Sequence, residues 1–268
     1  MANVRHWIRF RPRGGSIGFG TLNGDTIAVH HGEMFGRPAR GTQTLALSDV
    51  ETLTPCEPSK LLGLVNNFRA LLTKLDQPVP EEPLYFLKAP NSYMAAAGTI
   101  EQPQFYSGRV VFEGELGIVI GRRCKDVDEA SALSYVFGYT CVNDVTAFDV
   151  LDRNPKFAQW TRAKSYDTFG IFGPSIATGI DPAGLSVRTI LNGEERQNYP
   201  ISDMVFGPAR LVSLISRDMT LMPGDVIACG TSVGAGRMPP GSSIEIAIDC
   251  VGSLRNTFAG VPAAAARR

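Results

Sequence analysis

Arg109-Val-Val-Phe-Glu-Gly-Glu-Leu-Gly-Ile-Val-Ile120 is the stretch on which the fold of this chain turns. Its apolar, β-branched residues predict a buried strand. Side chains alternate along a strand, so Glu113 and Glu115 fall on one side with Val111 and Val119. Two carboxylates side by side in apolar surroundings repel, and desolvating each is costly. They persist as anions only beside a cation, or else one takes up a proton. On these residues alone two possibilities stay open: a divalent metal site, or a strand end whose acids reach solvent.

A third acid, Asp144, follows the apolar strand Tyr135–Val142 and completes a three-carboxylate shell, although an Asp there also serves as a turn cap. Hard oxygen ligands without imidazole or thiolate select Mg²⁺ or Mn²⁺ over zinc. His6, His30 and His31 are the only histidines, which excludes a His-rich zinc site. Lys164 and Asp167 lie in the aromatic segment Ala163–Pro174, and Lys88 lies in Phe86-Leu-Lys-Ala-Pro-Asn-Ser92. Lysines in such places either snorkel to the surface or stay inside because an anion holds them. Set among buried strands beside three carboxylates, the two lysines predict a balanced ionic pocket. Pro223–Gly236 reads as a turn, a strand and a Gly-rich loop. There Gly230, Gly234 and Gly236 let backbone N–H groups approach an anion, with the Thr231 hydroxyl beside them. A plain loop is the other possibility, and no βαβ unit surrounds it to make a dinucleotide site.

The 268 residues suffice for one large domain with a small appendage. Lys plus Arg equals Asp plus Glu, 26 each, so no net field favours nucleic acid or an anionic membrane as partner. No apolar run reaches the ~20 residues of a membrane span, and no signal peptide is expected. Cys56, Cys124, Cys141, Cys229 and Cys250 form no CxxC pair and read as buried free thiols of a reducing cytoplasm. Residues 1–57 predict a small β-rich unit, with strands at Val4–Phe10, Ser16–Leu22 and Thr26–Val29. Residues 58–260 predict a strand-dominated main domain, and 261–268 a frayed tail. Helices are expected at Asn67–Asp76 and, from a cap near Asp126, over Asp128–Val136. The fold class is thus β-dominated α+β, with few helices.

Five segments in order carry a family resemblance: Phe86-Leu-Lys-Ala-Pro-x-Ser, Glu113-x-Glu-Leu, Asn143-Asp144, Ala163-Lys-Ser-x-Asp-Thr-Phe, and Pro223-Gly-Asp-Val-Ile-x-x-Gly-Thr-Ser. Together with Asn192-Gly-Glu and Gln197 they resemble the fumarylacetoacetate hydrolase superfamily from about Pro58 to Phe258. The resemblance implies a mixed β-roll catalytic domain and a homodimer. It implies Mg²⁺ or Mn²⁺ held by Glu113, Glu115 and Asp144, Lys164 as the catalytic residue contacting substrate, and a 2-oxo acid bound by Lys88, Gly230 and Thr231. Members hydrolyse C–C bonds, decarboxylate, isomerise or tautomerise.

The chain departs from hydrolytic members in two places. Their His and Glu, three residues apart in a lid helix, fall on Leu71 and Lys74, and neither residue can activate water. An arginine four residues beyond the metal aspartate falls on Phe148. Chemistry through an enolate needs no activated water, so isomerisation, tautomerisation or decarboxylation is expected. C–C hydrolysis and a non-catalytic metal-holding role are the alternatives.

Overall fold

Period-two alternation organises the N-terminal part. In the computed structural model, which describes residues 4–261, β1 (Arg5–Pro12), β2 (Gly18–Asn23), β3 (Thr26–His31) and β4 (Ala39–Ala46) form an antiparallel meander. β5 (Val50–Thr52) returns to pair with β1. Ile8, Phe10, Ile27 and Val29 point inward and make a small apolar cluster of their own. The expected tail, Ala263–Arg268, lies outside the described residues.

The chain continues through β6 (Leu61–Val65), α1 (Arg69–Lys74), β7 (Leu84–Lys88), β8 (Tyr93–Met94) and β9 (Thr99–Glu101). It then enters the acidic stretch, which is two strands rather than the single one expected. β10 (Val110–Phe112) and β11 (Gly114–Ile120) are separated by Glu113. Side chains take over the backbone pairing at the break: Asn143 Oδ1 accepts the Glu113 N–H (3.2 Å) and Gln197 Oε1 accepts the Gly114 N–H (3.1 Å).

Next come α2 (Glu129–Ala132), a 3₁₀ turn at Leu133–Tyr135 and β12 (Val136–Asp144). The helix expected over Asp128–Val136 is therefore shorter, because Val136 is drawn into the sheet opposite Ile120. After β13 (Thr146–Ala147), two short helices follow that the sequence reading did not foresee, α3 (Phe148–Leu151) and α4 (Trp160–Lys164). Lys164 is the last residue of α4, not a strand residue. β14 (Gly170–Thr178), β15 (Ser186–Leu191) and β16 (Glu194–Pro200) lead to α5 (Pro208–Asp218). That eleven-residue helix was also unforeseen; Pro208 sits in its first turn and Leu211, Val212 and Ile215 are its buried stripe. β17 (Val226–Ala228), β18 (Gly236–Arg237), β19 (Ser242–Ile248) and β20 (Gly252–Gly260) complete the chain.

Among the described residues the strands form three sheets. The largest has twelve strands in the order β4-β3-β2-β1-β14-β12-β11-β17-β6-β7, with β5 on β1 and β8 on β14. The N-terminal meander therefore extends the main sheet through the β1–β14 pairing. A five-stranded sheet, β16-β15-β19-β20-β9, packs on one face, and β13-β10-β18 makes a small third sheet. Along β11, Leu116, Ile118 and Ile120 enter the core shared with Val187, Ile244, Ile246 and Leu254 of the second sheet. Val119 faces the other way, into a cluster with Trp7, Val142, Phe172 and Val226. Four of the five cysteines are buried and all five are free, but Cys250 is exposed in the turn before β20, correcting the expectation for that residue. No described helix is long and apolar enough to cross a membrane.

Candidate active site

The break at Glu113, the start of β11 and the end of β12 bring the three acids together. One carboxylate oxygen from each of Glu113, Glu115 and Asp144 lies within 4.8 Å of the others. Glu115 and Asp144 are fully buried. Lys88, at the end of β7, donates to Asp144 Oδ1 and to the Val145 carbonyl. Lys164 bridges the site from α4, donating to Glu113 Oε2 (2.9 Å) and Asp144 Oδ2 (2.6 Å). Three carboxylates thus face two ammonium groups.

The shortfall of positive charge falls on Glu115. Its Oε2 accepts the Gly230 N–H (2.8 Å), while its Oε1 is buried with no hydrogen-bond partner. Burial, and then the Asp144 and Glu113 charges, push its pKa well above the usual carboxylate range. Burial acts on Asp144 too, but Lys164 and Lys88 outweigh it and hold that carboxyl below its ordinary value. Burial would lower the Lys164 pKa, yet Asp144, Glu113 and Glu115 raise it, so it is a fixed ammonium donor. A hard dication fits this constellation: the donors are all carboxylate oxygens, one has no other partner, and the cluster is short of positive charge.

A hydrogen-bonded scaffold fixes the acids from behind. Gln197 on β16 accepts from Gly114 N–H and from Thr189 Oγ1 (2.8 Å) through its Oε1. Its Nε2 donates to Thr231 Oγ1 (2.8 Å) and the Ser232 carbonyl (3.0 Å), so all four of its positions are used. The Gly114 carbonyl accepts from Thr231 (3.0 Å) and from the Tyr199 hydroxyl. A Cβ at residue 114 would meet Thr189 Oγ1 at 2.1 Å, which is why glycine separates the two glutamates. In this arrangement Lys88 and Gly230 serve the carboxylates, whereas Lys164 and Thr231 also line the adjoining cavity. Sequence reading did not assign Asn143 or Tyr199 a role. Gln197 was visible only as part of a motif.

Above the acids opens a cavity of about 450 Å³. Phe86 stacks on Trp160 (5.5 Å between centroids, 10° between planes), and the Lys164 ammonium lies over the Phe86 ring at 4.9 Å. Leu71 and Lys74 of α1 lie in the wall, as does Phe148. The Arg109 guanidinium rests over the Phe148 ring at 4.4 Å, so an arginine stands at that wall from a neighbouring segment. Among the described residues Glu113 is the only carboxylate lining the cavity, and no histidine lines it.

Comparison with known proteins agrees with this geometry. The family model described as fumarylacetoacetate (FAA) hydrolase C-terminal matches residues 60–259, and one described as Rv2993c-like, N-terminal, matches residues 5–55. A protein of Archaeoglobus fulgidus is 44% identical over 79% of this chain and 83% of its own length. Oxaloacetate tautomerase YisK of Bacillus subtilis is 35% identical over 81% of this chain and 75% of its own. The crystal structure of 2-hydroxyhepta-2,4-diene-1,7-dioate isomerase from Mycobacterium marinum superposes with a TM-score of 0.87 at 35% identity, covering 97% of this chain and all (100%) of that one. Maleylpyruvate hydrolase from Sphingobium sp. SYK-6, solved with manganese(II) ion and pyruvate, superposes with a TM-score of 0.77 at 26% identity, covering 96% and 99%. With its acid trio at the end of a mixed β-roll and the family model matching from β6 to the last strand, this chain belongs to the fumarylacetoacetate hydrolase family.

Proposed function

We propose that the chain is an Mg²⁺- or Mn²⁺-dependent enzyme that forms and resolves the enolate of a small 2-oxo acid or diacid, by isomerisation, tautomerisation or decarboxylation. The observation that carries this reading is the cavity wall. Leu71 and Lys74 line it, no histidine does so among the described residues, and Glu113, already paired with Lys164, is the only acid among them. Such a wall stabilises negative charge on substrate but offers little to activate water. Glu113, Glu115 and Asp144 hold the metal, which when bound supplies Lewis acidity toward the substrate carbonyl.

The chain's own groups do the rest. The Lys164 ammonium, already aimed at the cavity floor, donates to the oxygen on which enolate charge develops. Thr231 Oγ1 lies at the cavity edge, accepting from Gln197 and donating to the Gly114 carbonyl. Its hydroxyl reaches a substrate oxygen by turning away from that carbonyl, which the Tyr199 hydroxyl continues to satisfy. Trp160, Phe86 and Leu71 shield that charge from bulk water. The relatives' names, an oxaloacetate tautomerase and a dioate isomerase, are consistent with this chemistry. The working unit we propose is a homodimer, as the family resemblance implies.

The test is a panel of 2-oxo acids with added Mg²⁺ or Mn²⁺. Solvent deuterium entering C3, loss of enol absorbance or release of CO₂ is the expected outcome. Hydrolysis of acylpyruvates with none of these signals would overturn the reading. Tight metal binding with no turnover at all points to the non-catalytic alternative.

A further inference from the structure

Asn67 lies between β6 and α1, is only 1% exposed, and uses its side chain three times. Its Nδ2 donates to the Cys229 carbonyl (2.8 Å) and to the Phe206 carbonyl (3.2 Å), and its Oδ1 accepts the Phe206 N–H (2.9 Å). Its own carbonyl accepts the Val205 N–H (2.8 Å). Two residues further on, α1 begins at Arg69. The residue that leads into the helix is thus clamped to two distant segments, one before α5 and one after β17.

The bond to Cys229 falls on a particular peptide. The Cys229 carbonyl and the Gly230 N–H belong to one peptide unit, and that N–H donates to Glu115 Oε2 (2.8 Å). The unit is therefore gripped on one side by a carboxamide and on the other by a buried carboxylate. Gly230 has a φ of +91°, and glycine takes either sign of φ with little difference in energy. Backbone preference alone does not stop this peptide from turning over, and turned over it sets a carbonyl oxygen against Glu115. A Cβ on Gly230 would meet Asn67 Cβ at 3.3 Å, so the two residues pack directly on each other. Donation to the carbonyl also polarises the amide and strengthens the bond that its N–H makes.

Resting on the metal reading above, we infer that Asn67 is a positioning residue for the acid cluster, latching the Cys229–Gly230 peptide with its N–H toward Glu115. One oxygen of that carboxylate is then held, and the other, which has no partner, stays open for the cation. Asn67 does not line the cavity and acts through the peptide alone. Because it also sets the entry to α1, whose Leu71 and Lys74 line the cavity, one side chain ties the state of the acids to the place of that wall.

Residue-resolved hydrogen exchange and Mn²⁺ calorimetry on the full-length protein test this. In the metal-free protein, Asn67→Ala is expected to speed exchange of the Gly230 amide about tenfold relative to that of Cys229, whose N–H is bonded to the Leu116 carbonyl. The folded fraction of this variant binds Mn²⁺ about tenfold more weakly. Mn²⁺ slows exchange at Val205 and Phe206 in the unmutated protein but not in the variant. Should Asn67→Ala not fold, Asn67→Asp keeps the volume and an acceptor for the Phe206 N–H while removing the donor. Its added negative charge favours a cation, so weaker Mn²⁺ binding there is owed to the peptide. Asp203→Ala releases the Ala70 N–H at the start of α1 (3.0 Å) without touching the peptide, and leaves Mn²⁺ affinity unchanged. A merely structural Asn67 lowers the urea midpoint, speeds Gly230 and Cys229 equally and keeps the parental Mn²⁺ affinity, and that result overturns the inference. If the unmutated protein takes up no Mn²⁺, the metal reading fails by itself. Exchange in the metal-free protein then decides the latch: selective acceleration at Gly230 upholds it, and equal acceleration sinks it.

Discussion

Two buried carboxylates of neighbouring segments in the main sheet, Asp225 and Glu115, have opposite surroundings. Asp225, just before β17, has both oxygens occupied. Oδ1 accepts from Ser59 Oγ (2.6 Å) and Lys60 N–H (3.1 Å), and Oδ2 accepts from Lys60 Nζ (2.5 Å) and Met222 N–H (2.7 Å). It ties the start of β6 to the turn that feeds its parallel neighbour β17. Glu115, on β11, has one backbone donor and an oxygen with none. Burial is the same in both cases, at 0% exposure. The difference lies in the lone pairs. A buried acid with every acceptor site filled staples the fold, whereas one left half filled keeps a place for a ligand.

The largest effect expected from this contrast is on function at Glu115. Glu115→Gln abolishes metal uptake and lowers turnover by about 10²–10³-fold or more, while the metal-free protein stays at least as stable, since a neutral amide replaces a carboxylate that burial disfavours. Metal titration and urea denaturation of the same sample check both halves, and full turnover in this variant would break the comparison. Asp225→Asn has the reverse profile. Removing the anion from four donors costs about 2–4 kcal/mol of folding stability, with metal affinity unchanged in the folded fraction. Third, Mg²⁺ or Mn²⁺ at a hundred times its Kd raises the stability of the parent protein and of Asp225→Asn by about 2.7 kcal/mol, and leaves Glu115→Gln unmoved. Thermal unfolding with and without metal separates the three proteins. The smallest effect concerns the lid. Leu71→His together with Lys74→Glu raises acylpyruvate hydrolysis about tenfold, because α1 already faces the cavity but nothing yet orients the new imidazole. No gain would show that the dyad alone does not divide hydrolysis from enolate chemistry.

How much of this was legible beforehand follows from the range of the forces involved. Glu113 and Glu115 announced themselves because strand alternation is local, and Asp144 because it ends an apolar run. The break at Glu113 did not show, since it is imposed by Asn143 and Gln197 from distant segments. α4 is only five residues long and its place is set by Lys164 reaching two carboxylates, so helical periodicity had no room to appear. α5 was legible and went unread: Pro208 in the first turn and buried Leu211, Val212 and Ile215 make an ordinary amphipathic pattern. Asp225 read as a plain turn residue because Ser59 and Lys60 lie some 165 positions away. Arg237 gave no local sign at all; only the β10–β18 pairing brings it to the cavity.

That pairing makes the third sheet a spacer between two side chains. Val111 faces Arg237 and Phe112 faces Gly236, and Glu113 follows at once, so the paired position and the acid lie about 7 Å apart along the chain. No flexible linker intervenes to absorb a misfit. One residue inserted between Gly234 and Arg237 would slip the ladder by a step and turn the guanidinium to the opposite side of the sheet, away from the cavity it lines.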